Sequence, residues 1–491
     1  MSQSSAEARR IGRNLSFAFA GKLVLYALST GWVIYLAPAL GDEAFGLYTI
    51  VRAFVTLFAL VPDMGIGLVV VRDVAADHGK AQAYLLNSLL AKVVLAALAF
   101  AALALLSALI YPDIPARLFL MAGFGLLAQA VGMVPVQGLQ AMEQMGAAAV
   151  VELASHFVFI GGGFVAMLAG FGLEGVFWAL VLSGGAALVV GGVVMVARFR
   201  PTLSDASLAR THYLLREGFP LGVGAALGLV YLQADKLILG KMLGEAEAGW
   251  YNVAYVLYYT LIEVLNTPVT VASYPTLSRY LKTSPATFEK LMEKLFYGKM
   301  LLSLPLAVGG TVMTGPLVEF LYAGDYPKSP PVLVVLLWSL VLIFPGTLFT
   351  QLLVIEGRQS RVLVLRALSA VLAVALNVVC IAAFGYVGPA VAICLVQLAV
   401  NVLAAWWNRA RLPALHLGAY LLRAVLALAP MVVVVLVLEP ALYIPVRFGR
   451  VWNLGLPVTV LAGAAAYGAA LVALGAVTRD DWRTLRAALG K

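Results

Sequence analysis

Apolar stretches long enough to cross a bilayer recur about fourteen times along this chain. They lie near 14–38, 45–69, 84–110, 117–138, 147–170, 174–197, 217–240, 247–272, 298–322, 331–355, 361–383, 386–408, 417–438 and 452–476. A helix of about 20 residues spans the roughly 30 Å hydrocarbon core. The alternating segments of about ten residues that build an outer-membrane barrel are a different pattern. Composition agrees: 63% of the residues are hydrophobic and 12% charged, where a soluble domain carries about 25% charged residues. No soluble fold hides that much apolar surface, since even large domains bury only about 75% of what the unfolded chain exposes. A soluble enzyme, a nucleic-acid binder and a disordered scaffold are excluded. The expected fold is an all-α polytopic membrane protein of about 14 transmembrane helices.

The net charge of +9 has a topological reading. With the N-terminus in the cytoplasm, 23 of the 33 Lys and Arg fall on cytoplasmic loops and ends, Lys299 among them. Only Arg117, Lys241, Lys328, Arg447 and Arg450 fall outside, and the remaining five lie within spans. Basic residues stay on the cytoplasmic side, so the chain is expected in the cytoplasmic membrane with both termini cytoplasmic, and no nucleic-acid partner is implied. The polar, basic segment MSQSSAEARRIGRN leads into a run long enough to span, which does not read as a cleavable signal. Most loops are short. Two are longer, 198–216 and 273–297, and the second is expected to hold an amphipathic helix on the membrane surface. Cys380 and Cys394 fall in apolar stretches and read as small buried hydrophobes, without a disulfide.

An internal repeat organises the spans. Leu40-Gly41-Asp42-Glu43-Ala44-Phe45-Gly46-Leu47-Tyr48 follows the first span, and Leu243-Gly244-Glu245-Ala246-Glu247-Ala248-Gly249-Trp250-Tyr251 follows the seventh, 203 residues on. Phe171-Gly172-Leu173-Glu174-Gly175 joins spans 5 and 6, and Phe384-Gly385-Tyr386-Val387-Gly388 joins spans 11 and 12, 213 residues on. Six spans per repeat leave the halves in the same orientation, as in transporters built from parallel repeats around a cavity. The expected domains are an N-lobe over 1–205, a C-lobe over 206–412, and an appended pair of spans with a cytoplasmic tail over 413–491.

The run from Gly41 to Tyr48, then Asp63-Met64-Gly65-Ile66-Gly67 and Arg72-Asp73-Val74-Ala75, resembles the first helical hairpin of the oligosaccharide (Wzx-type) flippases. Asp235-Lys236-Leu237-Ile238-Leu239-Gly240 leading to Gly249-Trp250-Tyr251 resembles the start of their second lobe. These proteins form the polysaccharide biosynthesis transporter family of the multidrug/oligosaccharidyl-lipid/polysaccharide exporter superfamily. The resemblance covers about residues 10–410 and marks the family rather than the cargo. It implies a two-lobed, V-shaped alternating-access flippase. Its cargo would be a polyprenyl-(di)phosphate-linked oligosaccharide, moved from the inner to the outer leaflet for cell-surface polysaccharide synthesis. The extra pair of spans also resembles the lipid II flippase branch, where such a pair forms a groove for the lipid tail.

Ionisable groups inside spans are costly and usually face a cavity. Lys22, Arg52, Lys92, Lys236 and Arg366 are the candidate phosphate-binding cations: Arg meets phosphate oxygens in pairs, and Lys acts as a point charge. Lys22 and Lys92 lie near cytoplasmic span ends, where snorkelling is the alternative. Arg366 is two turns from such an end. Tyr255, Tyr259, Asn377, Gln397 and Asn401 are the candidate sugar-binding groups, with helix packing as the alternative for the polar stripes. Arg52, Thr56 and Asp63 share one face if span 2 is continuous, because eleven residues make about three turns. Asp63, Glu152, His156, Asp235 and Glu263 are the candidate coupling or gating groups. Glu152 and His156, spaced i, i+4, suit a hydrogen bond. Asp235 with Lys236 also suits a structural ion pair, and Asp63, two residues before Gly65, also suits capping a break in the helix.

Among these ten ionisable groups five are basic, four acidic and one is His. That balance does not suit a purely cation-binding lumen, which weighs against the alternative of a cation-coupled multidrug exporter. A polytopic glycan polymerase or ligase would need a large external loop, and every external loop is short. No P-loop, metalloprotease or nucleophile-elbow motif occurs. The expectation is a transporter, not an enzyme, with no cofactor and no metal site. Expected partners are the lipid-linked glycan, membrane lipids, and a glycan polymerase and glycosyltransferases.

Overall fold

A computed structural model describes the backbone of residues 3–409, 411–412, 417–442, 444–448 and 450–476. Side chains are described for the same residues outside 3–20, 417–420, 445–448 and 450–452. The side chains of Arg9, Arg10, Arg13, Arg447, Arg450, Arg479, Arg483, Arg486 and Lys491, used for the topology, lie outside the described residues.

The helices are α1 (Gln3–Leu40), α2 (Asp42–Ala59), α3 (Ile66–Ala76), α4 (Ala81–Ile110), α5 (Ala116–Gly132), α6 (Val134–Ala141), α7 (Met145–Leu168), α8 (Gly172–Val194) and α9 (Leu208–Met242). After these come α10 (Glu245–Leu261), α11 (Thr267–Thr283), α12 (Pro285–Tyr322), α13 (Ser329–Ile355), α14 (Gln359–Phe384), α15 (Gly388–Asn408), α16 (Leu417–Ala441) and α17 (Gly455–Ala473). Eleven helical segments among the described residues are long and apolar enough to span. The segment 359–408 among them holds two helices, α14 and α15. The interrupted pairs α2–α3 and α10–α11 complete fourteen spans, as hydropathy predicted. The one departure from an all-α fold among the described residues is a hairpin between α16 and α17, β1 (Pro445–Phe448) paired antiparallel with β2 (Arg450–Asn453).

The repeat is visible in the backbone. Gly41 and Gly244 have φ of 79° and 120°, and Gly172 and Gly385 have 56° and 59°. These are the matched glycines of the two motif pairs. Each turns the chain through a region that a Cβ opposes.

Contacts divide the chain into two compact units. One holds the described residues up to Trp32 together with Glu43–Ala246; the other holds Val33–Asp42 and the described residues from Glu247 on. In the first unit α8 packs against α5 and α7. Gly125 and Gly132 on α5 meet Gly184 and Gly191 on α8 backbone to backbone, the close approach that small residues permit in a bilayer. In the second unit α15 packs in the corresponding way against α13 and α14. α9, which the repeat assigns to the second half, packs against α3 and α4 within the first unit. α16 and α17 pack together and onto α12 around Ala427, Met431, Tyr467 and Leu471. Large apolar side chains such as Leu105, Leu109, Leu168 and Val189 are more than 60% exposed, which suits lipid as solvent.

One expectation is corrected here. Residues 273–297 do not form a loop with a surface helix. Helices α11 and α12 run through the segment and are separated by Ser284 alone, in extended conformation (φ −156°, ψ 90°), with Pro285 opening α12. Proline at a first helical position has no N–H to leave unpaired and a φ already suited to the helix. At 38 residues α12 is about 57 Å long at 1.5 Å per residue, so it outruns the bilayer core.

Candidate functional site

In the first unit the chemistry gathers at the break between α2 and α3. α2 stops at Ala59, a turn follows, and Gly65 (φ 80°) admits the chain to α3. Asp63 therefore sits in a turn, and the shared face expected with Arg52 and Thr56 fails because the helix does not continue to it. The Asp63 carboxylate accepts from Lys92 Nζ on α4 and from Gln137 Nε2 on α6 (3.0 Å). Lys92 is 2% exposed, so its charge is answered by Asp63 rather than by water.

Arg52, on α2, is half-buried. Its guanidinium lies 5.8 Å from the Tyr48 ring centre and 5.5 Å from that of Phe159, within cation–π reach. No carboxylate pairs with it among the described residues. Asp235 and Lys236 on α9 are both buried and form an ion pair at 3.1 Å, with Lys236 Nζ also donating to the Leu232 carbonyl at 2.8 Å. His156 Nδ1 lies 3.1 Å from the main-chain carbonyl of Glu152. Lys22 is exposed.

At the start of α9, Tyr213 joins α3. Its hydroxyl donates to Asp73 Oδ2 at 3.0 Å and accepts from Arg72 at 3.2 Å, and Arg72 Nε donates to Asp73 at 2.7 Å. Burial pushes the Asp73 carboxyl up, but the hydrogen bonds from Arg72 and Tyr213 outweigh it and hold the group below the usual carboxylate range.

In the second unit the tyrosines of α10 form a ladder. Tyr255 and Tyr259 stack at 6.0 Å with an 11° interplanar angle, Tyr251 and Tyr258 flank Tyr255, and Glu263 hydrogen-bonds Tyr259. Asn377 is buried on α14 and donates to the Ala373 carbonyl at 2.7 Å, its Oδ1 having no partner among the described residues. Gln397 donates to Asn401 Oδ1 (2.9 Å), and Asn401 donates to the Leu342 carbonyl on α13 (2.7 Å), so this pair joins α15 to α13. Arg366, eleven residues before Asn377 on the same continuous helix α14, is exposed whereas Asn377 is buried.

The sequence reading missed one cluster. Lys299, assigned to the cytoplasmic basic set, is 1% exposed on α12. Its Nζ donates to Asn266 Oδ1 (2.5 Å), Thr270 Oγ1 (2.7 Å) and Thr347 Oγ1 (2.9 Å). Gln351 closes the cluster by donating to the Thr270 carbonyl at 2.8 Å. Asn266 ends a π turn between α10 and α11, the counterpart of the α2–α3 break. The repeat held the signal: Asn266 lies 203 residues after Asp63, and Lys299 lies 207 after Lys92.

Fourteen spans, two repeated bundles with an interrupted second span, and cations set inside apolar helices define a polytopic membrane protein built from two related helical halves. The fold is similar to that of the lipid II flippase MurJ in an inward closed conformation (TM-score 0.70, 11% identity, 92% of this chain and 97% of that one). It is also similar to an inward-facing multidrug resistance MATE family transporter of the MOP superfamily (TM-score 0.60, 18% identity, 79% and 94%). The chain belongs to the polysaccharide biosynthesis protein family, whose model matches residues 11–281. A relative from Haloferax volcanii, named as the probable low-salt glycan biosynthesis flippase Agl15, is 21% identical over 371 residues, 75% of this chain and 77% of that protein.

Proposed function

We propose that this protein is a flippase that carries a polyprenyl-(di)phosphate-linked oligosaccharide from the inner to the outer leaflet of the cytoplasmic membrane by alternating access. It serves cell-surface polysaccharide synthesis, with both termini cytoplasmic, alongside the glycosyltransferases that build the cargo and the polymerase that consumes it. Family membership and the Haloferax relative support the glycan, and the fold supports a transporter.

The observation that carries the reading is the state of the charges. Lys92 and Lys236 are answered by Asp63 and Asp235. Arg52 is half-buried over two aromatic rings with no described carboxylate on it. A guanidinium in that setting is available to a diphosphate, which it meets with paired hydrogen bonds. Tyr259, half-buried and backed by Tyr255, is the aromatic face of this ladder that a sugar C–H group could meet. The drug-exporter alternative needs acidic groups free for a cationic drug, whereas Asp63 and Asp235 are already engaged by lysines.

Arg52→Ala is expected to abolish lipid-linked glycan export while leaving protein level and membrane insertion intact. Surface glycan is read by labelled lectin on intact cells, and an unchanged signal refutes the role of Arg52.

A further inference from the structure

The two units carry a buried lysine at matching places, and the match fails at one atom type. Lys92 reaches a carboxylate at its helix break, whereas Lys299 reaches an amide, Asn266. The other acceptors of Lys299 are the hydroxyls of Thr270 and Thr347. Three acceptors use the three N–H bonds of an ammonium, so no donor is left for a phosphate or another anion. Helices α11, α13, α16 and α17 pack against α12. α13 carries no titratable residue. The packed elements carry Glu263 before α11, Tyr274 on α11, Arg423 on α16 and Tyr467 on α17, and among the described residues none of these forms a hydrogen bond or ion pair with Lys299. A buried charge without a counter-charge is costly, and releasing a proton removes that cost.

The hydroxyls allow both protonation states to be satisfied. Thr270 donates its proton to the Asn266 carbonyl (3.0 Å) and Thr347 to the Phe344 carbonyl (2.8 Å), so both present lone pairs to the ammonium. A neutral amine has two N–H bonds and one lone pair. Asn266 Oδ1, able only to accept, keeps one N–H and one hydroxyl keeps the other. The second hydroxyl turns from its backbone carbonyl and donates to the amine lone pair. Lys92 lacks this set of hydroxyls: its described partner is the Asp63 carboxylate.

We propose that Lys299 is the proton-carrying group of this transporter, charged when water reaches it and neutral when it is occluded. An N–H bond forms with a proton from water on one side of the membrane and breaks to water on the other, without electron transfer. The proposal rests on the transport reading above.

The test uses the full-length chain in phospholipid vesicles. The probe is a fluorescent polyprenyl diphosphate bearing one N-acetylglucosamine, and an impermeant quencher reads its leaflet. One proton per cycle makes a one-unit pH gradient worth up to about a tenfold leaflet ratio. The wild-type ratio is expected to follow the gradient and to invert when the gradient is reversed. Lys299→Met lacks the proton, Lys299→Arg does not release it, and Asn266→Asp recreates the pair of the first unit. All three are expected to lose the gradient response. Asn266→Asp keeps the test decisive if Lys299→Met fails to fold, as judged by size-exclusion profile. A wild-type protein that moves the probe but ignores the gradient overturns proton coupling. Any of the three variants that still follows the gradient overturns the assignment to Lys299. A wild-type protein that never moves the probe overturns the transport reading, and this proposal with it.

Discussion

Removing the two partners of the Lys92–Asp63 pair one at a time has unequal consequences that follow from their exposure. The Lys92 side chain is 2% exposed and the Asp63 side chain 32%. Asp63→Asn strands an ammonium away from water, and a stranded buried charge costs about 3–5 kcal/mol. Lys92→Met strands a carboxylate that water already reaches and that Gln137 still holds, so its cost is about 1.5–3 kcal/mol, that of a lost hydrogen bond to a charged group. The double variant removes both charges and is expected to be more stable than Asp63→Asn alone, because no unpaired ion remains. The assay is thermal or denaturant unfolding of the purified full-length protein, followed by size exclusion and read as a double-mutant cycle. Equal losses from the two single variants, or a double variant weaker than Asp63→Asn, would refute the claim that Lys92 depends on Asp63 for its charge.

Gly385 (φ 59°, ψ −137°) has open space where an alanine methyl would sit, with no neighbouring atom within 4 Å. Gly385→Ala therefore isolates backbone strain and is expected to cost about 1–3 kcal/mol in the same unfolding assay. Gly192, also uncrowded but inside α8, is the control: Gly192→Ala is expected to gain about 0.4–1 kcal/mol. Topology is checked by single cysteines after replacement of Cys380 and Cys394. Ser204→Cys is expected to resist an impermeant maleimide in intact cells and Asp325→Cys to react, with the reverse pattern inverting the orientation. The depressed Asp73 carboxyl makes the α3–α9 link dependent on pH. A lowered folded-state value contributes stability above the ordinary carboxylate range, and this is lost as pH falls through the folded value. Amide exchange over 66–76 is expected to accelerate in that acid window and, in Asp73→Asn, to be fast already at neutral pH.

Hydropathy determined the spans because a bilayer imposes a local rule. Backbone polar groups must be satisfied within the segment, so each apolar run of sufficient length becomes a helix. The matched glycine motifs likewise determined the repeat, because a positive φ is a property of one residue. Charge pairing is not local. Asp63 meets Lys92 from 29 positions away, and only the turn after Ala59 aims it there, so an argument from helical faces failed at that turn. Lys299 looks in the sequence like a loop residue at the edge of an apolar run. Its burial comes from groups brought by the α10–α11 turn, α11 and α13, up to 48 positions away. The sequence by itself therefore determined that the chain spans a membrane many times in two related halves. Only the tertiary structure decided which intramembrane charges are neutralised, because that depends on which helices meet at each depth.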